Sequence, residues 1–290
     1  MIYYLPTIYS NQDGYEQLGA LAKAAQGLSA NRLELSFSRV AFFDANMAAP
    51  LGVVLSRIAN DLNAVEIVDV PVMVERILRK NGFLTHYGYQ RLEDTNRTTM
   101  PFRRLQLSDE GLFADYVNRQ LRGKGIPRMS AGLGRVFKKK VFEVFQNAVI
   151  HSASELGVFV CGQFFPQKQR LDLTIADAGI GIRDKVRQFF RTDKISSVAA
   201  IRWALQDQNT TKPGPQPGGL GLKFLHEFVC LNKGRIQIAS RFGFYELNKG
   251  KDSFAKMDAD MPGTSVTIEI NTGDAAQYCL ASEVTPESVF

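Results

Sequence analysis

The chain has 290 residues, enough for about two domains. With 45% hydrophobic and 22% charged residues, and only 24 Gly and 11 Pro, its composition is that of a soluble globular protein and excludes a low-complexity chain. The net charge of +6, with a pI of about 9.2, is partly local. No acid occurs between Asp115 and Glu143, whereas Arg119, Arg122, Lys124, Arg128, Arg135 and Lys138–Lys140 do. Such a run is ordinarily a solvated face, but the segment 119–140 could also attract phosphates, an acidic protein or nucleic acid.

Cys161, Cys230 and Cys279 are far apart and form no CxxC pair, so they read as reduced thiols rather than a metal site. The opening "MIYYLPTIYSNQDG" lacks the basic start and long apolar core of a signal peptide. No run approaches the roughly 18–20 apolar residues of a membrane span. A cytoplasmic protein with no membrane contact is expected.

In chain order, "IYYLPTI" reads as a strand and "GYEQLGALAKAAQGL" as a helix. "RLELSFS" alternates and reads as a strand. "MAAPLGVVLSRIANDL" is a helix begun or broken near Pro50. "AVEIVDV" is a strand, and "PVMVERILRKNGFL" a helix with Pro at its first turn and Gly after its end. Strands alternating with helices imply an α/β layer structure. "EDTNRTTMPFRRLQL" has no strong period and reads as a connector. Helices follow near Asp109–Leu121 and from Met129–Ser130 to Val149 or beyond. "LGVFVCGQFF" and "RLDLTIADA" are strands joined by "PQKQ", a hairpin. "IRDKVRQFFR" and "ISSVAAIRWALQD" are helices. Three prolines and four glycines between Gln208 and Leu222 mark a long loop, a length that usually serves function. "KFLHEFVCLN" is a helix, "GRIQIAS" and "GTSVTIEI" are strands, and the last twenty or so residues form a loose tail.

Four short stretches stand out chemically. In "EVFQNAVIHS", Val141, Phe142, Phe145, Ala148 and Val149 share one helical arc, while Glu143, Asn147 and His151 share another at steps of four. Alone, such a trio is ordinarily a wet polar face. "TIADAGIGI" ends a strand in Asp177, with Gly179 and Gly181 allowing a tight turn before a helix. It is either a simple turn or a place where a flat ring meets a carboxylate. "PGGLGLKFL" opens a helix from glycines, where free N–H groups suit phosphates, yet it is neither a Walker loop nor a dinucleotide fingerprint. "GTSVTIEI" says little by itself.

The order of the four is more specific than any one of them. The chain from about Met129 to Asn271 resembles the ATP-binding domain of the GHKL superfamily, which includes DNA gyrase, heat-shock chaperone ATPases, sensor kinases and mismatch-repair ATPases. "EVFQNAVIHS" resembles its N box, "DAGIGI" its first glycine box and "GGLGL" its second. The resemblance implies a Bergerat α/β sandwich, with helices on one face of a mixed sheet. It implies Asn147 as a Mg²⁺ ligand and Glu143 as the general base that orients or deprotonates water. It implies Asp177 on the adenine amine with Gly179 and Gly181 beside the base. It places Gly219, Leu220 and Gly221 along the phosphates under a lid at Asn209–Pro217, and Thr264 as support for the adenine end. His151 is then structural. Spacing independently lets Glu143 and Asn147 serve one metal-bound triphosphate.

The first 98 residues, through "LELSFSRVAFFDANMAAPLGVVLSRI", resemble a STAS domain, with Asn46 in place of the phosphorylatable serine and "MAAP" as an insertion. The expected organisation is therefore a STAS-like unit at 1–98, a connector and helix at 99–128, the ATP-binding domain at 129–272 and a tail at 273–290. The implied function is an ATP- and Mg²⁺-dependent regulatory ATPase whose nucleotide state controls docking of a protein partner or of its own domains. The alternatives are a serine/threonine kinase of the anti-sigma-factor type, and an interaction module that binds nucleotide without hydrolysis. None of the three histidines (His86, His151, His226) lies on a dimerisation helix ahead of the ATPase part, which disfavours histidine autokinase activity.

Overall fold

The computed structural model describes residues 1–152, 155–206, 209 and 220–284. It is mixed α/β. The amino-terminal part alternates β1 (Ile2–Tyr4), α1 (Gln12–Ala24), β2 (Arg32–Ser36), α2 (Ala48–Asn60), β3 (Ala64–Val68) and α3 (Val72–Lys80). The strands form a parallel sheet in the order β1-β2-β3. Asn11 starts α1, its side chain accepting the Gly14 N–H at 2.9 Å. Helix α2 begins two residues before Pro50, which occupies the first turn, where its missing N–H costs nothing. Ala48 to Leu55 are all buried, the mark of a helix packed on every side.

What α2 packs against explains this. A second sheet has the order β4 (Thr99–Leu105), β6 (Val158–Phe165), β7 (Arg170–Asp177), β9 (Lys251–Asn271), β8 (Arg235–Asn248). Every pairing in it is antiparallel, so the mixed sheet expected from the resemblance is not found. The hairpins impose this direction. β6 and β7 are joined by the short Pro166–Lys168 turn, and β8 and β9 by Lys249 and Gly250, both at positive φ (50° and 75°).

The segment read as a connector is the edge strand β4. Pro101 and a register shift between Met100 and Arg103 break its alternation, which hides the strand in the sequence. β8 likewise runs past Ser240, because Arg241 at φ 55° and a register shift interrupt the pattern without ending the strand.

Along the sheet, Leu171, Leu173, Ile175, Val266, Ile268 and Ile270 face a layer of α4 (Glu110–Gln120), α5 (Ala131–Ser152) and α8 (Leu220–Asn232). In that layer Phe113 stacks on Phe145 at 4.2 Å and Phe137 meets Phe228 at 5.0 Å. The opposite face is covered as well. Phe159, Cys161, Ala176 and Ala239 share one core with α1 and α2, so helices lie on both faces of the sheet, not on one. A Cβ on Gly52 of α2 would sit 2.8 Å from the Phe102 ring and 3.1 Å from that of Phe159, which measures how closely this helix approaches.

The tail is docked through Glu283 rather than loose. β10 (Gln277–Tyr278) pairs in parallel with β5 (Arg128–Met129), Tyr278 packs edge-on against Phe228, and Glu283 accepts the Ser130 hydroxyl. Helices α6 (Gly181–Phe190) and α7 (Ser197–Leu205) complete the fold. The three cysteines are unbridged. Among the described residues no helix is long and apolar enough to cross a membrane.

A polar seam joins the amino-terminal layer to the second sheet. Asn46, fully buried, donates to Ser10 Oγ (3.1 Å) and to Thr174 Oγ1 (2.9 Å). Thr174 Oγ1 lies 2.7 Å from Thr267 Oγ1, which lies 2.8 Å from the Tyr15 hydroxyl. At the seam's edge Arg170 Nη2 bridges Asp44 Oδ1 (3.1 Å) and Asp172 Oδ2 (3.0 Å). Asp172 is 0% exposed, and among the described residues neither of its oxygens receives a well-formed hydrogen bond. Burial pushes its carboxyl well above the ordinary 3.8, against the pull of Arg170.

The folded state therefore holds this proton more tightly than the unfolded chain. The stability it confers is full below the ordinary value and is lost as pH rises through the raised one. Asp172→Asn, which cannot ionise, is expected to raise the thermal midpoint by a few degrees above pH 7. The gain should vanish toward pH 4. Paired melting curves of variant and wild type across that range check it, and a variant less stable at high pH would contradict it.

Candidate functional site

Strand parity decides which way Asp177 points. It ends β7 on the same face as Leu173 and Ile175, toward α5, and its register partner on β9 is Thr264. Its carboxylate is 4% exposed, accepts the Gly179 N–H at Oδ1 (2.8 Å) and is also bonded by the Thr264 backbone N–H. Burial raises its pKa to about 7, and the two backbone donors limit the rise. Near neutral pH the group is thus divided between ionised and protonated forms.

The turn around it is built on close backbone approach. Gly263, at φ 76°, lies so near β7 that a Cβ there would be 1.9 Å from the Asp177 carbonyl oxygen. Gly181, at φ 81°, opens α6, and a Cβ there would meet Arg241 Cγ at 2.8 Å and Ser240 Oγ at 2.9 Å. Ser240 ties these pieces together. Its hydroxyl accepts the Ile182 N–H (2.9 Å), donates to the Gly263 carbonyl (2.9 Å) and lies 3.0 Å from Thr264 Oγ1. Asp177, Gly179, Thr264, Ser240 and Ile182 are thus joined by hydrogen bonds, with Gly181 packed beside them.

Two elements of this unit escaped the sequence reading. Ser240 carried only a weak signal, as a small polar residue on the inward parity of "GRIQIAS". Arg57 carried none. It reaches from α2 to donate to the Ala178 carbonyl (3.0 Å), so the amino-terminal layer touches the turn directly.

Glu143 and Asn147 lie one turn apart on α5, both half-buried, and α5 packs against β7. The Glu143 carboxylate is held by Lys140 Nζ at 2.9 and 3.1 Å, a partner also missed in the sequence. This ammonium neutralises the carboxylate and occupies both oxygens, so a water taken up by Glu143 must share or displace it. The Asn147 side chain has no hydrogen bond to any described residue, which leaves its amide oxygen available. No hydrogen bond links the α5 pair to the Asp177 unit among the described residues.

Leu220 and Gly221 are the first two residues of α8. Gly219 lies outside the described residues, as do residues 210–217 of the expected lid and the side chain of His151. Asn209, where that loop starts, donates to the Trp203 carbonyl at the end of α7 (2.8 Å).

The described residues contain no group of three or more His, Cys, Asp or Glu side chains able to hold a metal ion. No protein-family model matches the chain, and no curated protein matches it.

Proposed function

We propose that the chain binds ATP with Mg²⁺ at the Asp177 turn and works as a regulatory ATPase. The observation that carries this is the buried Asp177 carboxyl, fixed by backbone N–H groups between two glycine-dependent turns, on the sheet face that α5 crosses with Glu143 and Asn147. In this reading Asp177 accepts the exocyclic amine of adenine, and Gly179 and Gly181 leave room for the ring. Thr264 and Ser240 hold the carboxyl's surroundings. Asn147 contributes its amide oxygen to Mg²⁺, which when bound neutralises phosphate charge. Glu143 orients the attacking water once Lys140 yields one of its two contacts.

Regulation follows from Arg57 and the polar seam. A nucleotide that shifts the β7–α6 turn alters the Arg57–Ala178 contact and so the fit of the amino-terminal layer, or of a protein partner that reads it. Phosphoryl transfer to the chain's own amino-terminal layer has no support at the expected position. Asn46 there carries no hydroxyl and is buried in the seam.

Calorimetry with Mg-ATP and Mg-ADP tests the proposal, and pH gives the sharper readout. Ionised Asp177 is the stronger acceptor for the amine, because the protonated acid turns one oxygen into a donor. With a carboxyl near 7, affinity should therefore fall, by up to about tenfold, from about pH 8 to about pH 6. Absence of binding at every pH with millimolar nucleotide sinks the reading.

A further inference from the structure

A cavity of about 820 Å³ lies between the end of α3, the chain at 91–97, the start of β4 and the end of α4, and it shares no lining residue with the Asp177 turn. Its size is that of a small-molecule site. Its walls carry Lys80, Arg91, Arg97, Arg119, Arg122 and Lys124 against two acids, Glu93 and Asp94, so six positive charges less two negative leave four in excess.

Little of this charge is neutralised internally. Asp94 is committed to the scaffold: its Oδ2 accepts the Thr99 N–H (2.7 Å) and hydroxyl (2.8 Å), and Lys80 sits 3.5 Å from Oδ1. Arg119 has only a 3.4 Å contact with Asp115, on the exposed surface. Arg91, Arg97 and Arg122 have no carboxylate partner among the described residues. Lys124 is 5% exposed and spends one of its three donors on the Arg97 carbonyl (2.7 Å). Arg97 itself is held at φ 52°, a conformation that costs a non-glycine residue energy and recurs at binding sites. Burial penalises the Lys124 ammonium, Asp94 offsets part of that cost and Arg97 adds to it, and an anion held between Lys124 and the exposed Arg91, Arg97 and Arg122 guanidiniums offsets more.

We propose that this cavity binds a compact ligand carrying several phosphates, at a site separate from and independent of the ATP site proposed above. Concavity distinguishes it from a nucleic-acid track. Of the basic segment only Arg119, Arg122 and Lys124 line the cavity, while the exposed Lys138 and Lys139 on α5 lie outside it.

Inorganic tripolyphosphate, titrated calorimetrically into the full chain at physiological salt, is the probe. Wild type and Asp177→Asn should bind it equally. Arg97→Glu/Arg122→Glu should weaken binding at least about tenfold with an unchanged melting curve, and Arg97→Ala/Arg122→Ala replaces it if the charge reversal disturbs folding. Lys138→Glu/Lys139→Glu should bind like wild type. The proposal is overturned if wild type does not bind, if Asp177→Asn abolishes binding, or if the α5 reversal weakens it as much as the cavity reversal. It is equally overturned if oligothymidylate binds more tightly than tripolyphosphate and is not displaced by it.

Discussion

Gly263→Ala is expected to cost about 3 kcal/mol or more of folding stability, a large share of the roughly 5–15 kcal/mol a domain possesses. Two penalties combine. The backbone is at φ 76°, where an L side chain is strained, and the new Cβ would stand 1.9 Å from the Asp177 carbonyl oxygen and 2.8 Å from its carbonyl carbon. Those are backbone atoms in the middle of a sheet and cannot swing aside as a side-chain tip does. Gly250→Ala separates the two contributions. Gly250 has nearly the same φ, 75°, but nothing lies within 4 Å of its Cβ position, so only the conformational cost of about 1–2 kcal/mol remains. Urea denaturation of the pair reads the difference. Equal losses in the two variants would show that β9 does not press against the Asp177 turn.

The elements that position the site were legible because their periods are clean. α5 keeps its apolar arc through Val141, Phe145 and Val149, β7 alternates up to Asp177, and the helix read from Lys223 is present as α8, which begins earlier, at Leu220. What failed did so for local reasons. Pro101 and a register shift disguised β4, and Arg241 disguised the outer half of β8. So did Gly243, whose Cβ would meet Ile201 at 2.7 Å where α7 crosses the strand.

The polar parity of β7 and β9 was not legible at all: alternation reports polarity and not burial, and Asp172, Thr174 and Thr267 are buried. Thr174 bonds Asn46 and Thr267 bonds Tyr15, residues more than a hundred positions away in sequence, while Asp172 is buried beside Arg170. The same limit hid Arg57 and Ser240, whose importance exists only once the layers meet. It did not hide the turn at Asp177 and Gly181, which the local sequence already demanded, but Thr264, read as opening a strand, lies inside β9, which begins at Lys251.

Asp177→Asn and Glu143→Ala should separate binding from turnover. In Asp177→Asn one carboxylate oxygen becomes an NH₂ group. The side chain sits between two backbone donors, the Gly179 and Thr264 N–H groups, so its single oxygen cannot satisfy both and also accept the adenine amine. Losing one charge-assisted hydrogen bond and leaving a buried donor unpaired costs about 3 kcal/mol, more than a hundredfold in nucleotide affinity. The fold should survive. Burial already disfavours the ionised carboxylate, so above pH 7 a neutral amide relieves that cost and the melting temperature should hold. Glu143→Ala removes the group that orients water but neither the Asn147 oxygen nor the Asp177 turn. Affinity should stay within about threefold while turnover falls about 10²–10³-fold. A Glu143→Ala protein that binds as poorly as Asp177→Asn would place Glu143 in the binding scaffold. Its pairing with Lys140 at 2.9 Å would then be structural, leaving the helix without a base.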